Sequence, residues 1–537
     1  MPIVARRTQC LFLHRPRLFF SSFLKIRRCS SIAAVASPSE QVKLPKEEEG
    51  HLPASYRSRK NGDSKTSEWK KLDSKELGIS NSMIAGPTRM VLNGLRKKGY
   101  EVYLVGGCVR DLILKRVPKD FDIITSAELN EIRKSFRRCE IVGKRFPICH
   151  VRVGDTIVEV SSFSTSASKS GVKFKHDFRR PPGCSEHDFL RWRNCLRRDF
   201  TINGLMFDPY ANVVYDYLGG MEDLKKTKVR TVIPANVSFA EDNARILRAI
   251  RIAARLGFHL SREVAVCLKE FSSSVLRLDK GRILMELNYM FAYGSAEASL
   301  RLLWRFGLLE ILLPIQASYF VSQGFQRRDK RSNMLLSLFS NLDKLVAPDQ
   351  PCHTILWISI FALHKAVVDK PEDPSVIAAF SLAVNSGGSL RESVEIVRRI
   401  PIPHEGKFHE LSERQELGVE ALMDEVIKFS ASVKASLSKM SDAYFVSQAM
   451  AKYPQAPYSD LIFIPAAMSS RVCKIFECVT RGMGDGFVAK CGRKIQSESL
   501  AMGSLPEIRH AFARIIFDTV YPPDQSGNKF LASRNQS

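Results

Sequence analysis

Several things are missing from this chain. Its twelve cysteines include no CxxC pair, and Cys473 and Cys478 have no partners at a zinc-site spacing. That excludes a structural zinc module and argues for reduced thiols rather than a disulfide framework. No cysteine stands in a Cys–His arrangement that would serve a nucleophilic thiol, and His150 reads as structural. No run approaches the ~18 uninterrupted apolar residues of a membrane span. The short segment LLWRFGLLEILLP at 302–314 is broken by Arg305 and Glu310 and reads as a buried helix. No repeat of 20–50 residues is present, which excludes a solenoid. The first 39 residues lack Asp and Glu entirely.

What is present is positive charge, a net +25 over 537 residues. Such an excess favours polyanionic partners, nucleic acid first among them. Residues 1–39, rich in Arg, Ser, Phe and Leu, have the composition of an organellar transit peptide and imply a mitochondrion or chloroplast. Losing that segment would still leave a strongly basic chain. Residues 40–80 are polar and charged and read as a flexible linker. A helix is expected over about 83–98. Strands follow at 101–105, 120–125, 148–153 and 156–163, with helices near 107–115 and 128–137. PPGCSEHDFLRWRN, from 181, reads as a loop, with Arg191, Trp192 and Arg193 more readily packed or solvated than stacked on bases. From about 238 the pattern becomes helical. In AEDNARILRAIRIAARLGFHL the apolar residues fall at 246, 247, 250 and 253–254. The charge run RRDKRS at 327–332 reads as a solvated loop.

Certain clusters point to chemistry. LVGGCVRD places Gly106 and Gly107 where a strand turns into a helix, so the backbone there can turn tightly and approach a ligand. Asp120 and Asp122 are two apart on an expected strand and share a face. Two such carboxylates repel unless a cation lies between them, and hard oxygen ligands favour Mg²⁺. Glu159, in TIVEVSSF, supplies a third carboxylate if its strand pairs alongside. In RRDFTIN, Arg198, Asp199 and Asn203 could reach one pocket from a helix start. The arginine would offer charge to phosphate, and the other two hydrogen bonds to a sugar. In EDNARILRAIR, Asp242 and Arg245 are three apart and share a helix face, with Arg248 and Arg251 continuing the row.

Taken in order, LVGGCVRD, DFD, VGKRF, RRDFTIN, DYLGG and EDNARILRAIR resemble the class II nucleotidyltransferases, the family of bacterial-type poly(A) polymerases and CCA-adding enzymes. The likeness runs from about 83 to 315. It implies an α+β fold, a small mixed-sheet nucleotidyltransferase head followed by an all-α neck and body. The expected boundaries are 81–235 for the head, 236–315 for a neck that binds the base and RNA, and 316–537 for body and tail. The resemblance assigns two Mg²⁺ ions to Asp120 and Asp122, with Glu159 as the further catalytic acid. It sets Gly106, Gly107 and Arg110 against a triphosphate, and Arg198, Asp199 and Asn203 at sugar and phosphates. Asp242 and Arg245 would face the incoming base, with Arg248 beside the phosphates. The implied partners are ATP and RNA 3′ ends, without a membrane; oligomeric state is left open.

The head motifs are common to both branches of that family. Residues 141–151, IVGKRFPICHV, resemble the poly(A) polymerase pattern of two aliphatics, Gly, two basic residues, Phe, an aliphatic, then His and an aliphatic. Ile148 stands where leucine is usual. The reading is therefore AMP addition to RNA 3′-hydroxyls. CCA addition to transfer RNA is the alternative, and a catalytically inactive RNA-binding relative is a second.

Overall fold

Short β-rich stretches bounded by turn residues build the first part of the chain, and longer amphipathic helices build the rest. The computed structural model describes residues 69–143, 147–165, 180, 183–346, 351–400, 404–453, 464, 466–481, 490 and 494–522. The expected transit peptide and Lys144, Arg145 and Phe146 of the 141–151 segment lie outside the described residues.

Eight strands form one mixed sheet: β1 (Lys70–Asp73), β2 (Val102–Val105), β3 (Asp122–Thr125), β4 (Cys139–Val142), β5 (Ile148–Val153), β6 (Thr156–Ser162), β7 (Leu205–Asp208) and β8 (Val213–Asp216). Their spatial order is β1-β8-β7-β2-β3-β6-β5-β4. β3 and β6 run parallel and the other pairings are antiparallel. β2 and β3 are buried almost throughout, as central strands covered on both faces should be. Helices α1 (Gly86–Arg96), α2 (Gly107–Ile113) and α3 (Leu129–Ser135) accompany this sheet. One expectation changes at the sheet's edge. The segment 40–80 was expected to be linker throughout, yet β1 pairs with β8, Ser74 N–H bonds Asn212 O, and Ile79 is buried. Its Lys-rich composition is that of an edge strand, which charge protects from further pairing.

The expected loop after 181 contains helix α4 (Glu186–Cys195). Ser185 caps it by accepting from the Asp188 N–H, with Glu186 and Asp188 in the first turn. Arg191 is buried: it donates to the hydroxyls of Tyr217 (2.9 Å) and Tyr103 (2.7 Å) and to Asp188 (2.8 Å). It is therefore neither stacked on a base nor solvated.

DYLGG braces the turn that follows α4. Asp216 accepts from the N–H groups of Leu218, Gly220 and Met221 and so caps α5 (Gly220–Lys225). A Cβ on Gly220 would lie 2.4 Å from the Thr201 carbonyl oxygen. Thr201 also donates to Asp223 (2.6 Å), which holds Arg230 (2.8 Å). Gly220→Ala is expected to lower stability by about 1–3 kcal/mol through overpacking. Urea unfolding measures it, and an unchanged midpoint would show that the Thr201 turn yields.

The segment expected to form a neck, 236–315, holds most of α6 (Ala235–Glu241) and all of α7 (Ala244–Leu256), α8 (Arg262–Glu270), α9 (Lys280–Phe291) and α10 (Ala296–Arg305). The stretch 302–314 is split among α10, a short helix Leu309–Leu312 and the start of another at Pro314. Further helices follow, including Thr354–Asp369, Pro374–Ser386, Val419–Ser441 and Leu505–Val520, packed through a core rich in Phe. In RRDKRS, Arg327 stacks on Trp304 at 3.9 Å and pairs with the buried Glu310, while Arg331 pairs with Asp329. These arginines are committed within the protein. The described cysteines are free thiols, buried or half-buried. No helix among the described residues is long and apolar enough to cross a membrane.

Candidate active site

The sheet register brings two of the expected carboxylates side by side. Asp122 opens β3, opposite Val105 of β2 on one side and Glu159 of β6 on the other. Laterally paired residues share a face, so both carboxylates leave the sheet together. Asp120 was expected on the same strand but precedes it, exposed in the connection from α2. Burial raises the Asp122 carboxyl to about 6, with Asp120 and Glu159 adding to the rise and Arg198 and Arg248 opposing it. Glu159 is raised by burial and by Asp120, against Lys119. The three acids thus feel one another, as like charges converging on one site must. Among the described residues no three metal-ligating side chains close into a cage. An open acidic set suits a Mg²⁺ ion that keeps waters and shares phosphate oxygens with a substrate. His150 lies opposite Glu159 in register, with Nε2 3.7 Å from Oε1.

Gly106 makes the turn ahead of these acids at φ +81°. A Cβ there would lie 3.2 Å from Arg198 Nη1 and 3.5 Å from Asp122 Oδ2, so the glycine keeps a charged corner open. At Gly107 a Cβ would meet nothing nearer than Arg110 Nη2 at 3.5 Å, an ordinary contact. Arg110 does not present a free guanidinium to a triphosphate. It is buried, donates Nε and Nη2 to Asp111 Oδ1 (2.9 and 2.7 Å), and donates Nη1 to Asn203 Oδ1 (2.5 Å).

Asp199 and Asn203 are buried as well. The expected helix start is a single 3₁₀ turn, Thr201–Asn203. Asp199 Oδ1 accepts from the Phe200 N–H (2.8 Å) and from Asn203 Nδ2 (3.0 Å), and Oδ2 forms an ion pair with Arg248 Nη2 at 2.8 Å. Burial would raise the Asp199 carboxyl, but Arg248, Asn203 and the Phe200 N–H together hold it below the usual range. Arg110, Asn203, Asp199 and Arg248 therefore form one chain linking α2, the turn and α7. As found, these residues spend much of their hydrogen bonding on one another.

The expected Asp242–Arg245 pair is not formed. The helix breaks between them: α6 ends at Glu241, Asp242 is extended at φ −146°, and α7 begins at Ala244. Asp242 Oδ1 accepts from the Ala244 N–H (3.0 Å), capping α7. Arg245 donates Nη1 to Ser238 Oγ (2.9 Å) and Glu241 Oε2 (3.2 Å), and Nη2 to Arg197 O (3.3 Å). Further along α7, Arg251 donates to Glu286 of α9 (2.9 Å). One residue escaped notice in the sequence. Lys119 Nζ sits 4.2 Å from the ring centre of Tyr289 and 5.2 Å from that of Tyr293. It lies directly before the acidic triplet, but nothing local announces its neck partners.

Comparison with known proteins accords with this arrangement. Residues 102–230 match the family described as the poly A polymerase head domain, and 257–320 match a probable RNA and SrmB-binding site of polymerase A. Poly(A) polymerase I of Salmonella typhimurium is 30% identical over 316 residues, 57% of this chain and 67% of that protein. Poly(A) polymerase I of Haemophilus influenzae is 32% identical over 265 residues, 48% of this chain and 57% of its own length. A CCA-adding enzyme of Oceanobacillus iheyensis is 35% identical over 201 residues, 37% of this chain and 48% of that enzyme. A Bacillus stearothermophilus CCA-adding enzyme solved with CTP is 20% identical, with a TM-score of 0.40 over 74% of this chain and 93% of that one. The chain belongs to the family of bacterial-type poly(A) polymerases and CCA-adding enzymes, nucleotidyltransferases that act on RNA 3′ ends.

Proposed function

We propose that this chain is a polynucleotide adenylyltransferase, which transfers AMP from ATP to RNA 3′-hydroxyls and releases pyrophosphate. The observation that carries the chemistry is Asp122 in register with Glu159, beside the turn that Gly106 opens. Asp120, Asp122 and Glu159 are the residues that would hold divalent cations, two Mg²⁺ ions in this reading. Bound there, such ions would supply charge neutralisation at the reacting phosphate and a more acidic 3′-hydroxyl. The protein's own part is positioning and electrostatics. Gly106 lets the triphosphate approach the backbone, and Arg198 offers positive charge at that corner. The buried chain from Arg110 to Arg248 fixes the wall of the pocket, and Arg245, clamped by Glu241 and Ser238, presents a rigid edge towards a base. The nucleotidyl transfer is direct: the 3′-oxygen bonds to the α-phosphorus as the bond to pyrophosphate breaks, and no side chain is covalently modified.

Adenylation is favoured over CCA addition by the 141–151 pattern and by the longer reach of the poly(A) polymerase likeness, 316 residues against 201. The higher identity of the CCA-adding enzyme over its shorter stretch favours the second reading. Full-length protein with Mg²⁺ should be given a generic RNA and a transfer RNA lacking CCA, with ATP, CTP or both. Long A tails on the generic RNA are the expected result. Three nucleotides added only to the transfer RNA would replace this reading with CCA addition.

A further inference from the structure

Untemplated extension brings two polyanions to one set of carboxylates, so cationic side chains are needed on both flanks. One flank is already described. Arg198, at the Gly106 turn on the side of β3 that faces β2, acts on Asp122, as does Arg248 of α7. The other flank is Asp120 and Glu159, towards β6, and the cation that acts on Glu159 there is Lys119.

Lys119 has an unusual seat. It is exposed, and its ammonium stands over Tyr289 and Tyr293, one helical turn apart on neck helix α9 and its continuation. The two rings lie 5.5 Å apart. Arg251 also lies against Tyr289, at 5.2 Å, but its charge is answered by Glu286, which Arg282 shares at 3.1 Å. Among the described residues no carboxylate lies within ion-pair distance of Lys119 Nζ. An ammonium has three donors; the Tyr289 and Tyr293 hydroxyls engage Lys119 as well as their rings, which holds it in place and leaves an N–H for a ligand. A positive charge fixed by aromatic faces beside the acids suits a phosphodiester.

We infer that Lys119, seated on Tyr289 and Tyr293, binds the acceptor strand, neutralising a backbone phosphate near its 3′ end, while the Gly106–Arg198 corner takes the nucleoside triphosphate. The assignment rests on RNA being the acceptor, but not on which nucleotide is added. Tyr289 and Tyr293 act through Lys119 and are positioning residues.

The test uses full-length protein and a fluorescent oligoadenylate, with binding measured across a salt series and initial rates measured against RNA and against ATP. Each phosphate contact to a single strand contributes about 0.7 to the slope of log K against log salt. Lys119→Ala should make that slope shallower by about 0.7. It should raise KM for RNA about tenfold, the loss of one hydrogen bond to a charged group, and leave KM for ATP unchanged. Lys119→Arg should restore the slope, because it keeps the charge. Tyr289→Leu/Tyr293→Leu should raise KM for RNA while keeping the slope. A wild-type slope and RNA KM in Lys119→Ala, a rise in KM for ATP instead, or a fall in kcat alone would each overturn the assignment. If wild-type protein adds no AMP to any RNA, the adenylyltransferase reading fails, while the salt slope still reports on Lys119.

Discussion

Asp122→Asn is expected to cripple nucleotide addition while leaving the protein folded, and, in the absence of divalent cations, more stable than wild type above about pH 6. The loss of activity should reach about a thousandfold, the upper range for removing one group that stabilises developing charge. The stability gain follows from the carboxyl's position. Burial, Asp120 and Glu159 raise it from 3.8 to about 6. A raised acid binds its proton more tightly in the folded state, so wild type loses stability as pH climbs through that interval. Asparagine is indifferent to it. Melting temperatures in EDTA should therefore coincide near pH 4 and diverge in the variant's favour by pH 8. Adding Mg²⁺ should then raise the melting temperature of wild type and leave Asp122→Asn unmoved, because a ligand stabilises only the state that binds it. Equal Mg²⁺ stabilisation of both proteins would remove Asp122 from the metal set.

Much of this site was legible because its signals are local. Alternation in TIVEVSSF turned Glu159 away from the core-facing Val158 and Val160, and the glycines of LVGGCVRD marked a strand-to-helix turn. The strands at 101–105, 120–125, 148–153 and 156–163 are present to within two residues at each end. What was misread depended on partners far along the chain or on helix ends. EDNAR has perfect helical spacing, so Asp242 and Arg245 seemed to share a face. The extended backbone at Asp242 and the bond its Oδ1 accepts from the Ala244 N–H show that the helix restarts there. The strand at 70–73 was hidden because an exposed edge strand is as polar as a linker. Arg191 was read as solvated because its partners, Tyr103 and Tyr217, come from separate strands or their ends. Arg110 and Asn203, assigned separately to phosphate and sugar by resemblance, bond to each other across 93 positions.

That buried chain carries the second large effect. Asp199→Ala should cost about 3 kcal/mol of stability and most of the activity. The stability figure is the lower end for breaking a buried ion pair, because Arg248 remains one-third exposed. The alanine would strip acceptors from the Phe200 N–H and from Asn203, and leave the Arg248 guanidinium facing a vacated pocket. Asn203 would then lose the partner that aims its carbonyl at Arg110, so the wall of the pocket should loosen from α2 to α7. The pH dependence has the opposite sign to that of Asp122. A carboxyl held below its usual value stabilises the fold above about pH 4, and the contribution fades as pH falls further. Wild type and Asp199→Ala should accordingly differ most at neutral pH and approach each other in acid. Pairing Asp199→Ala with Arg248→Met separates an ion pair from a packing defect. If the charges are coupled, the double variant should unfold at a smaller cost than the two single costs added, since neither charge is left alone. Strict additivity would mean that Asp199 serves the Phe200–Asn203 turn alone, and that Arg248 is held by something other than its charge.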